Sequence, residues 1–344
     1  MQNLAVTLLQ KAVRERTRTL RAQVKRCRKQ FSEEAVHDLR VAMRRLLALL
    51  DYLAFLAPSP ALRKMRREIK SHLDAFDALR DTQVMLLETT QRLNELPEVE
   101  PLHRFLQKRE KRLLRQAQKD IENIRDGDAK ALRAVLKTVA QKGGDPLAPV
   151  DDAYQTVLHR LALVDPSDTA TIHRVRIAFK RFRYSAEVAK PLLTSMPAEL
   201  LERLHDYQTL MGEIQDMEVM LRTIDQFAAR HSDCVMEPVR EYYRARHAEK
   251  VAAYLQRLNE VYSFWRSAPE RPLPWEVTPP VEPTEKEYEP AEPSEPPAVQ
   301  PEAPAYEAEL VEVSAAAEPR TGGNDLREDA AVAMLPTDNE EGTG

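Results

Sequence analysis

Eleven residues of this 344-residue chain are written twice. Val36 to Leu46 reads Val-His-Asp-Leu-Arg-Val-Ala-Met-Arg-Arg-Leu, and 136 positions later Ile172 to Phe182 reads Ile-His-Arg-Val-Arg-Ile-Ala-Phe-Lys-Arg-Phe. Only Asp38 against Arg174 changes chemical character. Apolar residues recur at helical spacing in both copies, so each is an amphipathic helix with one face committed to a core. In the first copy Leu39, Ala42, Met43, Leu46, Leu50 and Leu53 take that face, and in the second Val175, Ala178, Phe179, Phe182 and Ala186. The polar face is the informative one. His37, Arg40 and Arg44 align at spacings of three, four and seven, and His173, Arg176 and Lys180 repeat the row, with Arg183 and Tyr184 at its edges. A single copy reads as a solvated basic surface. Packing alone does not require the same order of His and cations twice.

Each His-to-last-cation row is roughly 10 Å long at the rise of an α-helix, which suits an extended anion better than a point charge. Arg offers a planar fork for phosphate oxygens and Lys adds a compact charge. Arg45 and Arg181 lie about 80° off the line of each His and are outlying members of the set. A second pair of basic stripes appears at the same offset, Arg104, Lys108 and Lys111 against Arg240, Arg244 and His247. These are second-rank phosphate contacts, or else a solvent-facing stripe. A third match is Asp81-Thr-Gln-Val-Met-Leu86 against Asp216-Met-Glu-Val-Met-Leu221, one residue out of register with the others. Asp81 and Asp216 either orient an Arg of the basic face or form ordinary interhelical ion pairs. Nothing in the sequence pairs them with a second carboxylate, as a catalytic acid would need.

The spacing predicts helices over about 3–30, from Ser32 to the Pro58-Ser59-Pro60 break, over 60–94, over 101–125 and, shorter, to Gln141. Gly143-Gly144-Asp145-Pro146 opposes helix continuation, and the pattern restarts over 150–164, 169–193, 198–230 and 236–266. The predicted organisation is an all-α fold with four long helices in each half. The first half covers residues 1–142, a linker 143–149, the second half 150–267 and a tail 268–344. Charge separates the tail from the rest. From Pro272 onward there are 18 acidic and 3 basic residues, leaving 48 Lys and Arg against 37 Asp and Glu before it. Rich in Pro and Glu, the tail cannot bury enough apolar surface to offset its conformational entropy, and disorder is expected.

Several chemistries find no support. Cys27 and Cys234 stand alone, without disulfide or zinc spacing. No His-Glu-x-x-His pair and no Gly-rich phosphate loop is present, and only four glycines precede residue 272. No metal or cofactor is therefore expected. Met1 to Arg21 lacks a signal-type apolar run, and no segment approaches the roughly 20 apolar residues that span a bilayer. A cytoplasmic setting is the default. Nucleic acid competes as an anion, but the basic segments carry few aromatics for stacking, which weighs against it.

The two His-centred stretches resemble the CHAD family, the conserved histidine α-helical domain. The likeness rests on His37-x-x-Arg40-x-x-x-Arg44-Arg45 and on His173-Arg-Val-Arg176-Ile-Ala-Phe-Lys180-Arg181-Phe-Arg183-Tyr184-Ser-Ala-Glu187. Asp81-x-x-Val84 and Asp216-x-x-Val219 fit the family's later helix, with Arg80-Asp81 but Gln215-Asp216. The resemblance covers about residues 1–266. It implies two pseudo-symmetric four-helix bundles around a basic channel that binds inorganic polyphosphate, and association with polyphosphate or polyhydroxyalkanoate granules. Leu47 stands where the family usually has a third basic residue and the second copy keeps Arg183, which implies a weaker grip by the first half. The expected function is non-catalytic polyphosphate binding. The alternatives are a granule scaffold and, less favoured, a metal-dependent phosphohydrolase.

Overall fold

The computed structural model describes residues 2–124 and 129–277. The expectation for the rest of the acidic tail lies outside the described residues. The described chain is helical, in the order α1 (Gln2–Lys29), α2 (Glu33–Leu56), α3 (Pro60–Ala75), α4 (Asp77–Arg92), α5 (Glu100–Asn123), α6 (Ala129–Lys142), α7 (Ala148–Leu161), α8 (Thr169–Ala189), α9 (Leu200–Ala228) and α10 (Glu237–Gln256). None of these helices is long and apolar enough to cross a membrane.

Local chemistry sets the start of the two helices that carry the repeated motif. Ser32 is extended and its hydroxyl accepts from the Ala35 N–H at 3.2 Å, with Glu33 and Glu34 placed to favour the positive end of α2. Asp168 does the same for α8, accepting from Ala170 N–H at 3.1 Å. His37 and His173 are thereby the fifth residues of their helices. The apolar faces go where the spacing sent them. Leu39, Met43, Leu46, Leu50 and Leu53 are fully or almost fully buried, as are Val175, Phe179, Phe182 and Ala186. Each large side chain so buried contributes about 1.5–3 kcal/mol.

The helix predicted over 60–94 is two helices. It breaks at Phe76, whose ring is fully buried and whose N–H turns back to the Leu73 carbonyl at 3.1 Å. No Pro or Gly marks the break. In the second half α9 runs unbroken over 29 residues.

The apolar side chains do not sort themselves by sequence half. One core gathers the buried faces of α1, α2, α3, α6, α7 and α8 with Leu204, Tyr207, Met211 and Ile214 from the start of α9. A second core joins Met85 of α4, Leu102 and Leu106 of α5, Met217, Met220, Ile224 and Phe227 of α9, and Val239 and Tyr243 of α10. Four helices therefore pass from one core to the other, α10 among them with Tyr243 in the second core and Tyr254 in the first. The other three each carry a charged residue between the cores: Asp81 between Leu79 and Met85, Arg109 between Leu106 and Ala117, and Asp216 between Ile214 and Met217. Folding has left a charged layer between two greasy ones.

The fold also runs past residue 267, where the tail was expected to start. Leu273 is buried in the first core, and the Trp275 ring meets Trp265 at 5.8 Å between centroids. The first ten residues assigned to the acidic tail are thus held by two large apolar side chains that find cover.

Candidate functional site

α2 packs directly on α8, and α4 on α9. The polar faces of α2 and α8 converge on the charged layer. Lys180 is half-buried and pushed down to about 8, first by loss of water and then by Arg176, Arg44 and Arg40, with Asp77 opposing. Arg176 is lowered by burial and by Arg44, while Asp216, Asp81 and Asp77 pull the other way. Arg40 is lowered by burial and by Arg44, against Asp77 and Asp81. Cations from both written copies thus lie within reach of one another's charge. His37 and His173 stand one turn nearer the N-termini of α2 and α8, His37 exposed and His173 half-buried.

The matched carboxylates join this cluster. Burial raises Asp81, as does Asp77, against Arg40, Arg109 and Arg176. Asp216 is pushed up to about 6, mainly by burial, with Arg176 and Arg80 opposing and Asp81 and Glu213 reinforcing. The expectation that no second carboxylate accompanies them is corrected here. Asp81 and Asp216 come from different helices and lie in each other's field. Distance along the chain had hidden the pairing.

Two members of the layer, Asp77 and Arg109, were not singled out from the sequence, and Arg80 entered only through the Arg80-Asp81 pair. Asp77 opens α4 and accepts from Arg40 Nη2 at 2.8 Å, while Arg40 Nη1 makes a long 3.5 Å contact to the Leu73 carbonyl. The break at Phe76 is what places this carboxylate there. Arg109 is lowered by burial and by Arg112, against Asp81. Its signal was available, for it follows Leu106 by three residues and precedes Leu113 by four, a cation inside an apolar stripe. Arg80 is felt by Asp216.

Other expected members lie elsewhere. Arg45 and Arg183 meet at Glu187, 4.0 Å and 3.1 Å away, beside a cavity of about 550 Å³ that Arg16 of α1 also lines. Arg183 further donates to Gln208 Oε1 at 2.9 Å and stacks on Tyr184. Arg181 is exposed and pairs with Asp152 at 2.7 Å. Their angular offset on the helices, or their position a turn further along, carries them past the layer. The second-rank stripes lie apart from the layer, exposed at Arg104, Lys108, Lys111 and Arg244 and half-buried at Arg240 and His247. Arg104 pairs with Glu100 on its own helix, Lys108 and Lys111 are exposed, Arg240 binds Asp225 at 2.8 Å and also Glu237, Arg244 reaches Glu237 at 3.3 Å, and His247 lies 3.7 Å from Glu218. On α5 the stripe chosen from the sequence is the face opposite Arg109.

The layer thus holds six cations (Arg40, Arg44, Arg80, Arg109, Arg176 and Lys180) from four helices against the carboxylates Asp77, Asp81 and Asp216. No three His, Cys, Asp or Glu side chains among the described residues come together as metal ligands would. What such a layer can do is neutralise an anion with charges spaced along its length.

The CHAD domain family model matches residues 11–225. The crystal structure of the CHAD domain from the plant Ricinus communis is similar in fold, with a TM-score of 0.57 at 21% identity, covering 75% of this chain and 91% of that one. No curated protein matches the chain.

Proposed function

The chain belongs to the CHAD family, and from that premise we propose that its charged layer binds an extended phosphate-rich polyanion, inorganic polyphosphate above all, without chemical turnover. The supporting observation is the crowding of Lys180 by Arg176, Arg44 and Arg40. Like charges gathered in a partly dry layer oppose folding, and an anion that bridges them relieves the repulsion. Because the cations come from α2, α4, α5 and α8, a linear guest reaches more of them than a compact one. The carboxylates in the layer are engaged with guanidinium groups, Asp77 by direct bond, and serve here as positioning groups. On this reading the protein works in the cytoplasm, and attachment to polyphosphate granules follows from the same grip.

Thermal melts and calorimetric titration with polyphosphate, each at two salt concentrations, test the proposal. The melting temperature should rise with polyphosphate, and affinity should fall as salt screens the layer. Melts unchanged at millimolar polyphosphate would remove the proposal. Phosphate released from polyphosphate in the presence of magnesium or manganese would replace it with the hydrolase reading.

A further inference from the structure

α1 and α6 lie side by side, and the groove between them is a cavity of about 810 Å³ that shares no residue with the charged layer. Its floor is apolar and nearly buried, made by Val13, Leu132, Leu136 and the methyl-bearing Thr17, with the exposed Ala140 at its rim. Its walls are cationic and carry no carboxylate, with Arg14 and Arg18 on α1 and Arg133 and Lys137 on α6.

Several cations of α1 are engaged within the fold. Arg16 donates to the Arg45 carbonyl at 2.7 Å, Arg26 binds Asp38 and Glu34, and Arg28 caps the end of α5 through the carbonyls of Ile121, Glu122 and Ile124. Arg14, Arg18, Arg133 and Lys137 make no ion pair or hydrogen bond among the described residues, and all four are exposed. They are also placed at a local disadvantage. Arg14 with Arg18 and Arg133 with Lys137 are like charges four residues apart, an arrangement that destabilises a helix by about 0.2–0.5 kcal/mol per pair. No carboxylate among the described residues pairs with them to offset that.

We propose that the α1–α6 groove is a docking surface for an acidic amphipathic helix of a partner protein. Two adjacent helices offer a trough into which the ridge of a third fits, and helix-in-groove recognition reads an apolar seam with its flanks. The seam would lie on Val13, Leu132 and Leu136, and flanking Asp or Glu would meet the two cation pairs. From Gln10 to Arg21 the α1 wall is roughly 16 Å long, three helical turns. A naked phosphate chain has no use for the apolar floor. A flat bilayer reaches only the rim of a concave trough.

The probe is a labelled Glu-rich peptide of about 14 residues, near 20 Å when helical, with leucines every three and four positions. Its control has the same composition with the leucines scattered around the helix. Fluorescence anisotropy should show the patterned peptide binding at least about tenfold more tightly, a difference of about 1.4 kcal/mol. The quadruple variant Arg14→Glu, Arg18→Glu, Arg133→Glu, Lys137→Glu should lose that binding while its affinity for polyphosphate stays within about twofold. Ala140→Trp, which obstructs the trough from its rim without changing a charge, should weaken the peptide and leave polyphosphate alone. Equal binding of the two peptides, or no binding of either, overturns the proposal. So does capture of phosphatidylglycerol vesicles that the quadruple variant abolishes while the patterned peptide fails to bind.

Discussion

Arg40 and Arg176 hold the same place in the two written copies of the motif, yet the structure treats them differently. Arg40 is 3% exposed and tied to Asp77 at 2.8 Å. Arg176 is half-buried, its Nε has no hydrogen-bond partner among the described residues, and its main carboxylate neighbour, Asp216, acts on it only through its field. The cause lies one helix away. At the 135-residue offset that relates Asp81 to Asp216, Asp77 is matched by Gly212, and the break at Phe76 is matched by the continuous α9. One wall of the layer is already satisfied and the other is waiting. The absence of a third cation in the first copy, Leu47 for Arg183, points to the same asymmetry, but Arg183 is engaged with Glu187 and Gln208. The carboxylate, not the missing Arg, makes the difference.

The largest test of that contrast is Arg176→Ala. Losing an unengaged cation should weaken polyphosphate binding by about 2–3 kcal/mol, roughly 30- to 150-fold, whereas Arg40→Ala should cost about tenfold. Calorimetry on the two variants side by side decides it; equal losses would mean the walls are equivalent. Gly212→Asp should impose on Arg176 what Asp77 imposes on Arg40. A Cβ at Gly212 meets nothing within 4 Å, and Gly inside a helix is itself unfavourable by about 0.8–1 kcal/mol relative to Ala. This variant is therefore expected to melt no lower than the parent while binding polyphosphate about tenfold more weakly. An affinity unchanged by the new carboxylate would show that Arg176 is not reached from that position.

Asp77→Ala should act in the opposite direction. Releasing Arg40 raises affinity by about fivefold and removes a hydrogen bond to a charged group, so the melting temperature should fall by a few degrees. Affinity that drops together with stability would make Asp77 a positioning group that the guest needs.

The smallest effects come from pH. Asp216 titrates near 6 in the folded chain, above the ordinary carboxylate range. The folded state therefore binds more protons than the unfolded state between about 4 and 6, and this group's contribution to stability falls as pH rises through that window. Going from pH 7 to pH 5 discharges Asp216, and affinity for polyphosphate should rise by about threefold, a gain that Asp216→Asn abolishes. Lys180, near 8, has the reverse consequence. Above pH 8 the empty layer loses a cation and affinity falls, while folding stability rises because the folded state then holds fewer protons than the unfolded chain. Lys180→Met should melt higher at pH 7 and bind polyphosphate more weakly.

The sequence showed the helices, the start of α2 at Ser32 and the buried faces because each of these is local. Ser32 caps what it precedes, and Leu39 to Leu53 lie three and four residues apart. The principal cations were legible by self-comparison, since Arg40, Arg44, Arg176 and Lys180 recur. That method cannot see what does not recur. Asp77 has no carboxylate counterpart in the second half, so matching passed over it. Phe76 ends a helix without a breaking residue because a buried ring, a tertiary fact, fixes the bend. Arg109 sat within an apolar stripe, but the neighbouring Lys108 and Lys111 offered a more regular row. Arg45, Arg181 and Arg183 were placed with the rest because a periodicity gives angles on one helix, not what the adjoining helix brings to meet them.

Between the two apolar cores, α4, α5 and α9 carry charges where continuous hydrocarbon would have fused them. Such a seam allows each greasy region to open with its own free energy, as separate cooperative units in amide exchange. A polyanion lodged there would act as a weld. Exchange in Met217–Phe227 and in the Tyr207–Ile214 stretch should then slow together, and the molecule would report occupancy of its middle as a change in how it comes apart.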